Sequence, residues 1–150
     1  MREVLRESDE LVDELVDELI RADLIVASVP MYNFSMLAQF KAYIDNIVRV
    51  GRTFGFDRNR AGEPYWPLLA DQGKRLLIVS SRGDYGYGAG GRIEARNHVE
   101  PTVRTAFAYL GITDTYAIAA EYDEFGDERL AQSLAHAEVE ADRLAEQLVA

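Results

Sequence analysis

Apolar positions along the chain change spacing several times, and each change marks an element. Residues 9–22, DELVDELVDELIRA, alternate acidic and apolar pairs with a period of four. That places Leu11, Val12, Leu15, Val16, Leu19 and Ile20 on one stripe of a helix, opposite a solvated acidic side. The run LIVASVP at 24–30 is short, branched and closed by Pro30, the pattern of a strand buried on both faces of a parallel sheet. Ser35 can then cap a helix through about Val50, with Gly51 ending it and Leu37, Phe40, Tyr43, Ile44 and Ile47 sharing a face.

Residues 52–73 hold no sustained period and read as a long irregular excursion or hairpin, a candidate wall for a site. KRLLIVSSRG at 74–83 repeats the buried-strand pattern and runs into the glycine-rich DYGYGAGGR. Pro101 suits the first turn of a helix reaching Leu110, with Gly111 as its stop. TYAIAAE at 115–121 is a third strand, and from Asp127 a long amphipathic helix runs to the end. Strands alternating with helices require parallel pairing and right-handed crossovers, so the expected class is α/β with helices on both faces of a parallel sheet. Ligands of such sheets bind at the carboxyl ends of the strands, which selects Pro30–Phe34 and Ser81–Gly83.

Length and composition narrow the reading. The 150 residues suit a single domain, 1–150, with 48% apolar residues to build a core. No stretch approaches the roughly 20 apolar residues of a membrane span, and MREVLRESDE lacks a secretory pattern, so a cytoplasmic protein without membrane partners is expected. The absence of cysteine removes disulfides, thiolate chemistry and cysteine zinc sites. A net charge of -10 repels a phosphate backbone and disfavours nucleic acid as a partner.

Candidate chemistry is sparse. His136 falls within the last helix, and His98 precedes a helix with no partner apparent in sequence. No spaced set of metal ligands occurs. GYGAGG at 86–91 lacks the full spacing of a dinucleotide fingerprint and reads more simply as a flexible loop. The informative stretch is PMYNF: Met31, Tyr32 and Phe34 crowd around Asn33 at a strand end, where they cannot all face one core. The pattern fits either core packing or a loop whose apolar side chains and Asn33 amide meet a flat heteroaromatic ring.

VPMYNFSMLAQFKAYIDNIVRVGRTFGF, LLIVSSRGDYGYG and YLGITDTYAIAAE together resemble the matching blocks of the FMN-dependent NADH azoreductases, which are also NADH:quinone reductases, in order and at similar spacing. The resemblance implies a flavodoxin-like three-layer sandwich. It implies that Pro30, Met31, Tyr32, Asn33 and Phe34 wrap the FMN ring, and that Ser81, Arg82, Gly83 and Asp84 approach its pyrimidine edge. Asp84 stands where a second glycine is usual, placing a carboxylate near the reduced ring. Phe56 falls where an aromatic residue lines the substrate pocket. The resemblance further implies a homodimer that passes hydride from NADH through the flavin to a quinone or azo acceptor by ping-pong transfer, with no catalytic side chain.

The three strands match the third, fourth and fifth of the five in such a fold. The opening strands and the phosphate-binding loop have no counterpart, so an incomplete, N-terminally truncated domain is expected. On that ground a non-catalytic fragment or interaction module that does not retain FMN is a second expectation, and a flavin reductase with another acceptor a third.

Overall fold

The computed structural model describes residues 2–149, and the side chains of residues 9–148. Its elements in order are α1 (Arg2–Arg21), β1 (Leu24–Ser28), α2 (Ala38–Ile47), β2 (Phe54–Phe56), β3 (Tyr65–Pro67), β4 (Arg75–Ser81), a single 3-10 turn (Glu94–Arg96), α3 (Glu100–Leu110), β5 (Asp114–Ala120) and α4 (Glu128–Val149). Strands β1, β4 and β5 form a parallel sheet in that order, with Ala27 opposite Ile78 and Ile78 opposite Ala117. The alternating strand–helix pattern of the sequence is thus realised as parallel pairing.

Residues two apart on a strand share a face, and the two faces are covered differently. Ala27, Val29, Leu76 and Ile78 point to one side, where Leu19 of α1, Ile44 and Ile47 of α2, and Val103, Phe107 and Leu110 of α3 complete the main core. On the other side Ile118 packs with Leu144 and Leu148 of α4, joined by Leu24, Leu77 and Tyr116. Helices therefore lie on both faces of the sheet, as the pattern required. Among the described residues no helix is long and apolar enough to cross a membrane.

Two local details correct the sequence reading, and a third selects between its alternatives. Helix α2 starts at Ala38 behind Leu37, not at Ser35, because Ser35 spends its backbone groups pairing with Tyr32. It ends at Ile47, before Gly51: the buried Thr53 hydroxyl donates to the Ile47 carbonyl at 2.7 Å and accepts from the Arg49 N–H at 2.9 Å, closing the last turn from the side. The excursion of 52–73 contains an ordered antiparallel hairpin, β2 with β3.

Two other ends follow the physics of helix termini. The buried Lys74 ammonium donates to the carbonyls of Ile20 and Ala22 at 2.6 and 2.7 Å, satisfying acceptors at the negative end of α1. Gly111 stops α3 at a φ of 104°, and a Cβ there would lie 2.4 Å from the Ala70 nitrogen, so both conformation and space call for glycine.

Candidate functional site

Two loops leave the carboxyl ends of neighbouring parallel strands, and they are tied together: the Met31 N–H, just past β1, donates to the Ser81 carbonyl at the end of β4 at 2.9 Å. Beyond Met31 the chain reverses in a two-residue hairpin. Tyr32 and Ser35 exchange backbone hydrogen bonds of 2.9 and 3.0 Å around Asn33 and Phe34, whose φ values are 48° and 72°. A turn with both central residues at positive φ suits Asn at the first and Gly at the second. Phe at the second position carries a steric cost of about 1–2 kcal/mol. The conformation persists because the His98 N–H donates to the Phe34 carbonyl at 3.0 Å and the Ser35 backbone bridges to His98. His98 serves the site through its backbone; its imidazole is exposed.

The turn after β4 is built differently. Arg82 is 4% exposed: its guanidinium donates to Glu121 at 3.1 Å, is hydrogen-bonded to Glu100, and lies over the Tyr87 ring at 5.5 Å. Its side chain therefore runs into the fold, its backbone N–H donates to the Ala120 carbonyl at 2.9 Å, and only Gly83 and Asp84 of the turn are partly exposed. That backbone is clamped from β5's exit, where the N–H groups of Asp123 and Glu124 donate to the carbonyls of Arg82 and Gly83, each at 3.1 Å. A Cβ on Gly83 would meet the Glu124 carboxylate at 2.6 Å, so glycine permits the two turns to touch.

Asp84 does not stand as an uncompensated charge. Its carboxylate accepts from the Arg92 guanidinium at 2.6 Å and from the Tyr85 N–H at 2.8 Å, and these bonds hold its pKa below the ordinary aspartate range. The negative charge expected near a bound ring is thus offset by Arg92. The glycine-rich stretch is no anion cradle either: the N–H groups of Gly86 and Tyr87 donate to the Glu121 carboxylate at 2.8 and 3.1 Å, so a resident acid occupies them. Those bonds, with the Ile93 N–H donating to the Gly86 carbonyl at 2.9 Å, make the stretch an ordered turn.

Between the two loops lies a cavity of about 250 Å³ lined by Met31, Asn33, Phe34, Gly83, Asp84, Tyr87, Arg96 and Glu124. Five of the residues singled out in the sequence, Met31, Asn33, Phe34, Gly83 and Asp84, meet there. Pro30 and Ser81 instead line an apolar groove between the sheet and α4. Tyr32 is 59% exposed and Arg82 is buried, and neither lines the cavity. Phe56 lies on the hairpin, stacked on Tyr65 at 4.9 Å, and is also outside it. Tyr87, Arg96 and Glu124 escaped the sequence reading because they come from segments without periodicity; the tyrosine within the glycine-rich run was the one local signal.

The chemistry of this cavity is that of binding. Met31 and Phe34 offer apolar surface, Asn33 offers an amide with donors and an acceptor, and Gly83 and Asp84 offer backbone N–H groups, a set that fits the flat ring of FMN with its polar pyrimidine edge.

The sequence profile of a family described by its flavodoxin-like fold matches residues 2–144. The chain is 46% identical over 147 residues to FMN-dependent NADH:quinone oxidoreductase 2 of Idiomarina loihiensis, covering 98% of this chain and 59% of that protein. It is 48% identical over 138 residues to FMN-dependent NAD(P)H:quinone oxidoreductase 1 of Pseudomonas aeruginosa, covering 92% and 62%. The structure is similar to that of an FMN-dependent NADH-azoreductase from Bacillus anthracis in complex with FMN, with a TM-score of 0.77, 26% identity, and coverage of 97% of this chain and 66% of that one. The chain thus spans about three fifths of the length of the curated relatives it matches. The resemblance noted in the sequence is borne out.

Proposed function

The chain belongs to the flavodoxin-like-fold family whose profile covers residues 2–144, and from that membership we propose that it is the ring-binding portion of an FMN-dependent oxidoreductase moving electrons from NADH to quinones or azo compounds. The observation that carries this reading is the strained Asn33–Phe34 turn, bonded back to the neighbouring loops and facing Gly83 and Asp84 across a cavity whose lining suits a flat ring. Strain retained at non-glycine residues marks positions where side-chain identity serves more than folding.

FMN, when bound, supplies hydride acceptance from NADH and delivery to the acceptor. The chain's own residues bind and orient. Met31 and Phe34 give the ring an apolar wall, and the Asn33 amide meets its heteroatoms. The backbone of Ser81, Arg82, Gly83 and Asp84 approaches the pyrimidine edge, with the buried Arg82–Glu100–Glu121 cluster fixing that turn. Pro30 follows β1 and aims the loop, and exposed Tyr32 flanks the ring site. No side chain is assigned a proton transfer, because solvent reaches the cavity.

The reading extends to a cytoplasmic homodimer. The exposed aromatic residues Phe56, Tyr65 and Tyr109, with Phe54 between them, form a face suited to a second copy. There Phe56 lines the substrate pocket across the interface.

The test is direct: add FMN to the purified chain, desalt, and record flavin absorbance and fluorescence, then follow NADH oxidation with a benzoquinone. Retained flavin and FMN-dependent turnover are expected. A chain that leaves the column without flavin and shows no turnover is a non-catalytic module.

A further inference from the structure

A separate cleft of about 630 Å³ opens beside α3 at the outer edge of β5, and Tyr87 stands between it and the ring cavity, lining both. Among the described residues β5 pairs with β4 alone. The Arg82 N–H donates to the Ala120 carbonyl at 2.9 Å, so the even-numbered residues of β5 turn their backbone groups toward β4. Ala117 and Ala119, which floor the cleft, therefore turn an N–H and a C=O each outward, and their small side chains leave the approach open.

Where the cleft meets the start of α3, Arg82 and Glu100 are 4% and 7% exposed. Their ion pair leaves the Arg82 Nε donor and the Glu100 Oε2 acceptor buried with no partner among the described residues. Groups of that kind cost stability until something pairs with them. The other two acids of the lining are engaged: Glu121 accepts from Arg82 and from the Gly86 and Tyr87 N–H groups, and Glu94 accepts from the Gly90 N–H at 2.8 Å. One helical turn beyond Glu100 stands Arg104, exposed and without an ion pair among the described residues, since its natural (i, i+4) partner Glu100 is turned to Arg82. Three acids and two arginines disfavour a multiply charged anion; they suit a neutral polar backbone with one terminal charge.

We propose that this cleft docks the carboxyl-terminal tail of a partner polypeptide, extended along β5 with its terminal carboxylate on Arg104. An extended backbone presents donors and acceptors on alternate sides, and added to a free edge it pairs with outward groups such as those of Ala117 and Ala119. The same backbone supplies the acceptor and the donor that Arg82 Nε and Glu100 Oε2 lack. Small side chains near the end of the tail match the alanine floor. The guanidinium fork of Arg104 matches a carboxylate in plane. The inference goes beyond the ring-site reading and does not rest on flavin binding.

The test titrates the purified chain calorimetrically with acetylated tetra-alanine bearing a free carboxylate, its carboxyl-terminal amide, a version methylated on the amide nitrogens, and unacetylated tetra-alanine. The free acid is expected to bind about fivefold more tightly than the amide, the worth of one exposed charge pair. In Arg104→Gln the two bind alike. Methylation abolishes binding because it removes the strand's donors, and acetylation makes no difference. Arg58→Gln, which removes the same charge from the exposed loop between β2 and β3, keeps the preference for the acid. No binding of the acetylated acid, equal affinities in the wild type, a preference that survives Arg104→Gln, an equal loss in Arg58→Gln, or undiminished binding of the methylated probe each overturns the proposal. Markedly tighter binding of the unacetylated peptide also overturns it, since the cleft then takes free oligopeptides and not a tail. Flavin retained after desalting, read on the same samples, reports on the ring site separately, so either reading can fail while the other stands.

Discussion

The loop after β1 and the turn after β4 leave adjacent strands at the same edge of the sheet, yet they spend their residues in opposite ways. In the first, Tyr32 and Phe34 are 59% and 43% exposed and the backbone is strained, so side chains face outward while backbone bonds within the turn and to His98 hold the shape. In the second, the largest side chain, Arg82, is buried under two carboxylates, and Gly83 and Asp84 line the cavity. The difference teaches that one wall of the site is specified by side-chain identity and the other by main-chain position. Substitutions should separate along that line: the first loop affects binding at little cost to folding, and the second affects folding first.

The largest effect expected is from Arg82→Ala. It leaves Glu100, 7% exposed, and the partly covered Glu121 without their cation. Breaking a buried ion pair from one side costs about 3–5 kcal/mol, and a matching fall in denaturation midpoint checks it; an unchanged midpoint would mean the turn is not anchored this way. Asn33→Ala comes next. Removing one hydrogen-bonding group costs about 1 kcal/mol of ligand affinity, read as a roughly fivefold weaker FMN dissociation constant, with a loss of up to about 1 kcal/mol in stability because alanine tolerates a φ of 48° less well than asparagine.

Phe34→Gly tests the strain itself. Glycine takes a φ of 72° freely, so the chain should gain up to about 1 kcal/mol in urea unfolding, while FMN affinity falls with the lost apolar wall. A loss of stability instead would show that Phe34 packing outweighs its backbone cost. The smallest effect concerns pH. Asp84 has a lowered folded pKa, so its contribution to stability is present above the unfolded value, near about 3.9, and is lost as pH falls through the lower folded one. Asp84→Asn should therefore make the fall in stability below about pH 4 slightly shallower, measured as thermal midpoints across an acid series. Because the pair with Arg92 is solvent-exposed, the change is small.

Much of this arrangement was legible in the chain. Runs such as LIVAS and RLLIVSS carry their strand character in consecutive residues, and the carboxyl-end rule then located both loops. The positions of Met31, Asn33, Phe34, Gly83 and Asp84 in one cavity follow from that placement alone. Ser35 was misread because its preference for helix caps is local, whereas its pairing with Tyr32 and His98 draws on a residue far along the chain.

The sequence by itself determined the order of elements, the parallel pairing and the loops that meet at the sheet's edge, since these rest on periodicity, glycine and proline, all readable within a few residues. Only the tertiary structure decided where individual side chains go. Arg82 turns inward because Glu100 and Glu121, 18 and 39 residues later, wait there. Asp84 loses its isolated charge to Arg92, and Arg96 reaches the ring loop from the far end of the glycine-rich turn. Charge pairing depends on distance in space and on exposure, which no local pattern encodes.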